Sequence, residues 1–157
     1  MSVSSIYYSE TGNQEMEKYS VKRILVPMDG STESFRGLEK AIYFARQCNA
    51  TITGLYTSQK PTKYGFDNID DLDSASRKRI DKFMVKSKLL AAQNGISFEQ
   101  EIIHGSAEKK ILDFAIKWKY QLIIIGSKNA GSKDKTFFEG VTNHILEKSK
   151  IPVLVVK

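Results

Sequence analysis

The sequence predicts a single α/β domain: a doubly wound, five-stranded parallel sheet with helices on both faces. Three observations lead there. The chain has 157 residues and is 41% hydrophobic, the length of one domain and enough apolar material to fill its core. Short runs rich in Val, Ile and Leu alternate with segments of ten or more residues whose apolar positions recur at helical spacing. Several of those short runs are continuously apolar, as strands covered on both faces are. A strand–helix–strand order of this kind implies right-handed crossovers and a parallel sheet.

The first strand lies in Val21–Asp29 (VKRILVPMD), with Ile24, Leu25 and Val26 at its centre. Gly30 turns the chain, Ser31 is a good N-cap, and Phe35, Leu38, Ala41, Ile42 and Ala45 carry a helix that Asn49 closes. Thr51–Tyr56 (TITGLY) is a β-branched second strand, in which Gly54 marks a place where a neighbouring backbone comes close. A loop over Ser58–Asn68 precedes a long helix near Asp70–Asn94, whose apolar face is Leu72, Ile80, Phe83, Met84 and Ala91. Its first turn holds Asp70, Asp71 and Asp73, which suits the positive end of the dipole, and Gly95 stops it. Ser97–Ile103 is the third strand. Ser106 caps a helix that buries Ala107, Ile111, Phe114, Ala115 and Trp118, and Leu122–Ile125 (LIII) is the fourth strand, ended by Gly126. A polar loop leads to a helix from about Gly140 to Ser149 with Val141, Ile145 and Leu146 inward; Pro152 then opens the last strand, Val153–Val156.

Composition narrows the function. The net charge of +6 permits an anionic ligand, but no compact basic motif with interleaved aromatics marks a nucleic-acid binder. Lysines such as Lys78, Lys82, Lys86, Lys109, Lys110 and Lys117 read as solvated helix faces. With Cys48 the one cysteine and His104 and His144 the two histidines, neither an internal disulfide nor a Cys- or His-rich metal centre is available. Both histidines read as partly exposed packing residues, and Asp70, Asp71 and Asp73 as helix-start electrostatics, so no metal site is assigned. No apolar run approaches the ~18 residues of a membrane span. Residues 1–20 read as a polar, flexible leader without the apolar block of a secretory signal, with the folded domain over 21–157 and a cytoplasmic location.

Ligands of such sheets sit beyond the carboxyl ends of the strands, where the winding reverses. The first and fourth strands are the expected central neighbours. Their ends carry Pro27-Met28-Asp29-Gly30-Ser31 and Gly126-Ser127-Lys128-Asn129-Ala130-Gly131-Ser132. Two small-residue loops at helix N-termini suit an anion, and Asp29 can accept from a hydroxyl or amine at the ligand's other end. The competing reading is that these glycines only permit positive φ. No Walker A order is present at Gly131-Ser132-Lys133, and neither Ser31 nor Ser127 has a placeable His and carboxylate for a triad.

At these residues the chain resembles the universal stress protein family from about Lys22 to Lys157, through ILVPMDGS, HGSAEKKILDFA, LIIIGS and FFEGVTNHILEKSKIPVLVVK. The resemblance implies a five-stranded fold of the adenine nucleotide alpha hydrolase-like type and a stress-associated, non-catalytic role. It also implies homodimerisation through the last strand, here Val153–Val156, which would cover an apolar sheet edge. Many members bind ATP through Gly, two residues, Gly, nine residues, Gly-Ser/Thr after the fourth strand. Gly126 matches the first glycine, Asn129 stands at the second, and Glu139-Gly140 stands at the closing pair; a one-residue gap aligns Gly140 instead, followed by Val141. Pro27 and Asp29 match the adenosine side, and Tyr56 falls near the position whose backbone contacts adenine. Mg²⁺ would accompany ATP.

Asn is the best non-glycine residue for positive φ, so Asn129 keeps the loop shape. The missing Ser removes a hydrogen bond to charge worth about 1.5–3 kcal/mol. In the ungapped register Glu139 sets a carboxylate about 5 Å from phosphate, a cost of roughly 3 kcal/mol at an effective dielectric near 20. Lys128, Lys133 and Lys135 work in the opposite direction. The alternatives are therefore an adenine-nucleotide binder, a nucleotide-free dimeric interaction or chaperone-like protein, and an enzyme on this fold, for which no base that could position water is visible.

Overall fold

The strand Arg23–Pro27 (β1) forms the centre of the sheet in the computed structural model, which describes residues 20–58, 72–127 and 137–157, with residues 137–139 by backbone alone. Around it the chain runs α1 (Thr32–Cys48), β2 (Thr51–Ser58), α2 (Ser74–Gln93), β3 (Phe98–His104), α3 (Ala107–Lys117), β4 (Leu122–Gly126), α4 (Phe137–Lys148) and β5 (Val153–Val156). The sheet order is β3-β2-β1-β4-β5, with every pair parallel. The chain winds outward from β1 to β3, then reverses and adds β4 on the other side of β1. The expected α/β architecture and the β1–β4 pairing are both present.

Two apolar layers hold the helices on. Ile24, Val26 and Met28 face α1 and α2 together with Leu38, Ile52, Phe83 and Met84. Leu25, Leu55, Ile123 and Ile125 face α3 and α4 with Ile111, Val141 and Ile145. Neighbouring residues of β1 thus enter opposite cores, which is why RILVP carries no polar alternation. Asn49 closes α1 in the left-handed region at φ 52°, its N–H donating to the Ala45 carbonyl.

Several local expectations need correction. Helix α2 starts at Ser74, with Asp73 as its cap accepting from the Ser76 N–H at 2.8 Å, and no acidic residue occupies its first turn. Asp70 and Asp71 lie outside the described residues. Gly54 makes room for a ring, not a backbone: a Cβ there would run into Phe98. Ser106 occupies the N-cap of α3 without a side-chain hydrogen bond. Trp118 falls one residue past the end of α3 and is 48% exposed; Leu146 is rotated away from Ile145 and is 50% exposed. Helix α4 begins at Phe137, so Gly140 is its fourth residue. His104 is 7% exposed, buried rather than partly open.

Candidate functional site

Because β1 and β4 run parallel, their carboxyl ends reach the same edge of the sheet, and the first two turns of α1 hold both. On the β1 side, the Met28 N–H donates to the Leu55 carbonyl at 2.8 Å, extending the pairing one residue past the strand. Asp29 then closes a turn: its Oδ1 accepts from the Ser31 N–H at 2.9 Å and the Ser31 hydroxyl at 2.5 Å. Gly30 between them has φ +82°, a region open to glycine at little cost. The Ser31 Oγ in turn accepts from the Ser34 N–H at 3.1 Å, capping α1. One oxygen of Asp29, Oδ1, therefore shapes the loop, and Oδ2 takes no part in that turn.

On the β4 side, Gly126 lies directly under α1. A Cβ on Gly126 would overlap the Glu33 carbonyl and come within 3.2 Å of the Ser34 nitrogen. From the helix side, a Cβ on Gly37 would meet the Gly126 nitrogen at 2.9 Å. The guanidinium of Arg36 donates to the Ser127 carbonyl at 3.4 Å, and the Ser127 N–H donates to Val156 at 2.8 Å. Gly126 is thus required by close helix–strand approach, and its φ is not positive. Gly30 does use the left-handed region, so the two glycines serve different ends.

Pro27 pairs in register with Leu55, and the next residue of β2, Tyr56, is half-buried with its ring centroid 5.9 Å from that of Phe83. The Phe83 ring closes the wall beneath Gly30. At the start of α4, Gly140 is exposed, and a Cβ there would have only the Glu108 carboxylate nearby, at 3.7 Å. As the fourth residue of α4, Gly140 stands where the N–H of a helix makes its first intrahelical hydrogen bond, as Phe35, Arg77 and Lys110 do in α1, α2 and α3, so the amides open to an anion are those before it. Val141 is the fifth residue, with its side chain buried in the α3/α4 core. Asn129 and Gly131 lie outside the described residues, as does the loop whose register the sequence left open.

The structure adds a wall that the sequence did not suggest. An open cavity of about 490 Å³ is lined by Asp29, Gly30 and Ser31, by Phe35 of α1, and by Arg79, Lys82, Phe83 and Lys86 of α2. The α2 residues follow the i, i+3, i+4, i+7 spacing of one helix face. That spacing was present in the sequence, where Lys82 and Lys86 read as a solvated face. Lys86 lies 4.5 Å over the Phe35 ring. Three cations thus face one carboxylate across a groove that also contains the N-terminus of α1, an arrangement suited to a negatively charged ligand. Among the described residues, no group of three or more His, Cys, Asp or Glu side chains could hold a metal, and no helix is long and apolar enough to cross a membrane.

A parallel sheet in the order 3-2-1-4-5, with an anion-suited crevice at its switch point, defines an open, doubly wound α/β domain. Within that class the chain belongs to the universal stress protein family, whose model matches residues 20–157. It is similar to the universal stress protein MJ0531 of Methanocaldococcus jannaschii, 25% identical over 142 residues that cover 87% of this chain and 82% of that protein. Among solved structures, a universal stress protein in complex with cAMP superposes with a TM-score of 0.71 at 22% identity, covering 88% of this chain and 98% of that one. The universal stress protein of Archaeoglobus fulgidus in complex with dAMP gives 0.68 at 17% identity, covering 88% and 99%. These likenesses agree with the stress-protein resemblance and with the fold.

Proposed function

We propose that this stress protein binds an adenine nucleotide, ATP with Mg²⁺ or a monophosphate, between the tips of β1 and β4, and that it acts as a binding module without catalysing a reaction. The observation that carries the reading is the preset Asp29-Gly30-Ser31 turn, which opens the helix α1 that seats Gly126 and faces Arg79, Lys82 and Lys86 of α2. Pro27, Asp29 and the Tyr56 backbone would take the adenosine. Asp29 Oδ2 would accept from a hydroxyl or amine. Gly126, Asn129, Gly131 and the start of α4 at Gly140 would take the phosphates, with Val141 anchoring the helix start. The cAMP and dAMP held by the two solved relatives support the nucleotide class. The residues present suit such a ligand: a carboxylate with one oxygen outside the turn, helix-start amides and an excess of cations.

The half-exposed Val153–Val156 strand supports homodimerisation along β5, since an apolar edge left open invites pairing. Residues 21–157 would then be the functional unit, with 1–20 as a leader and the cytoplasm as its compartment.

Calorimetry with AMP and with ATP and Mg²⁺, on the protein and on Asp29→Asn, tests the proposal. Asn retains an Oδ1 acceptor for the Ser31 turn while replacing Oδ2 with a donor. The expected result is saturable binding that Asp29→Asn weakens by about tenfold or more, the loss of one hydrogen bond to charge. No heat with either nucleotide, and none released on denaturing the purified protein, would leave the nucleotide-free interaction module in its place. Turnover of ATP would overturn the non-catalytic assignment. Light scattering at micromolar concentration should return the dimer mass.

A further inference from the structure

We infer that the crevice takes an adenosine nucleotide with phosphate at both ends of its ribose, a 3′,5′-bisphosphate, whose second phosphate lies on Arg79, Lys82 and Lys86 of α2. This rests on the nucleotide assignment, in which Gly126 and the start of α4 take the phosphates and the α2 cations take no group. Helix α2 carries six Lys and Arg against one carboxylate, Asp81, so most of the chain's net charge of +6 sits on this element. Arg79, Lys82 and Lys86 share its face toward the Asp29 turn and line the groove of about 490 Å³. None of the three is in an ion pair among the described residues. Lys86 is instead held 4.5 Å over the Phe35 ring.

The start of α1 separates this groove from the seat of the first phosphate. Glu33 and Gly37, one turn apart, press their side of the helix onto Gly126. Phe35 stands midway between them in sequence, so it points to the opposite side of α1, where it walls the groove. A 5′-phosphate chain running from Gly126 to the start of α4 leads toward the other face of the sheet, where α4 packs, and away from α2. The Asp29 turn lies between the two seats, at the head of α1. A ribose held there has matching geometry: its 5′ and 3′ oxygens leave opposite ends of the ring, and a 3′-phosphate keeps the 2′-hydroxyl as a donor to Asp29. Asp29 is the one carboxylate on the groove wall, against three cations. A 3′-phosphate supplies the acceptors for charge-assisted hydrogen bonds that a bare 3′-hydroxyl cannot.

Calorimetry with AMP, adenosine 5′-diphosphate and adenosine 3′,5′-bisphosphate tests this, on the protein and on a variant combining Arg79→Gln, Lys82→Gln and Lys86→Gln. The diphosphate has as many phosphates as the bisphosphate but carries both on the 5′ side. The bisphosphate should bind the parent about tenfold or more tightly than AMP does, the gain of one charge-assisted contact. The triple variant should weaken the bisphosphate by about tenfold or more. AMP and the diphosphate should change by less than about threefold at about 0.15 M salt, where charges out of contact are largely screened. The three side chains are exposed, so the variant should melt within about 2 °C of the parent. With AMP binding saturably, a bisphosphate that binds no tighter than AMP, an equal loss for all three ligands in the variant, or a bisphosphate that excess AMP does not displace would overturn the inference alone. Binding of none of the three would remove the nucleotide assignment with it.

Discussion

Replacing Gly126 with Ala should destabilise the protein strongly, although it adds only one methyl group. The new Cβ would overlap the Glu33 carbonyl and crowd the Ser34 nitrogen, all backbone atoms of the first turn of α1. No flexible side chain can give way, so the helix start must retreat by roughly 1 Å or more to regain ordinary contact distances. Overpacking costs about 1–3 kcal/mol, and backbone against backbone belongs at the upper end. For a chain of this length each kcal/mol shifts Tm by about 2–4 °C, so a fall of about 6–12 °C is expected by calorimetry or circular dichroism. Because α1 begins at the Ser31 cap, the same movement drags the Asp29 turn, and nucleotide affinity should fall with stability. Gly126→Asn separates the two explanations of this glycine. If left-handed backbone were the requirement, Asn would be the best tolerated replacement; if close approach is, Asn is worse than Ala. A Gly126→Ala protein melting within about 1 °C of the parent would refute the seating of α1 on the end of β4.

Gly140→Ala should have the opposite sign: only the Glu108 carboxylate lies near, at 3.7 Å, and replacing a helical glycine by alanine gains about 0.5–1 kcal/mol, a rise of about 1–4 °C. The Tyr120 hydroxyl is buried, donating to Thr53 Oγ1 at 2.8 Å and accepting from Arg23 at 3.2 Å. Burial raises its pKa above 10.0, outweighing the Thr53 bond and the Arg23 charge, which lower it. The folded state therefore holds the phenolic proton more tightly than the unfolded chain; the stabilisation is full below pH 10 and lost as pH rises through the higher folded value. Tyr120→Phe should cost about 1–2 kcal/mol at pH 7, from the lost bonds to Thr53 and Arg23 while Thr53 keeps its 3.5 Å bond to Glu99, and should melt with a smaller alkaline loss than the parent in a pH series.

Most of the fold was legible because its signals are local. The apolar runs at β1 and β4, the Ser31 cap and the left-handed Asn49 each depend on a few consecutive residues. Errors arose where a boundary or orientation depends on distant partners. Asp73, expected inside the first turn of α2, is instead its cap; Trp118 fits a helical period but falls past the end of α3, and Leu146 falls outside the buried face of α4. The site was half legible. Pro27, Asp29 and Gly126 stand where strand ends must lie, whereas Arg79, Lys82 and Lys86 looked like any solvated helix face until α2 was seen to cross the Asp29 turn. His104 shows the same limit, since nothing in the residues around it announces that both nitrogens are enclosed.

By itself the sequence determined the strand and helix order, the parallel winding and the two loops that share one edge. Periodicity and steric preference act over a few residues, and crossover handedness follows from chirality. Only the tertiary structure decided why Gly126 must be glycine, which cations face Asp29, and that the histidine ending β3 is buried with no partner among the described residues. Each of these depends on the distance between atoms far apart in the chain, and that distance is fixed only when the helices settle onto the sheet.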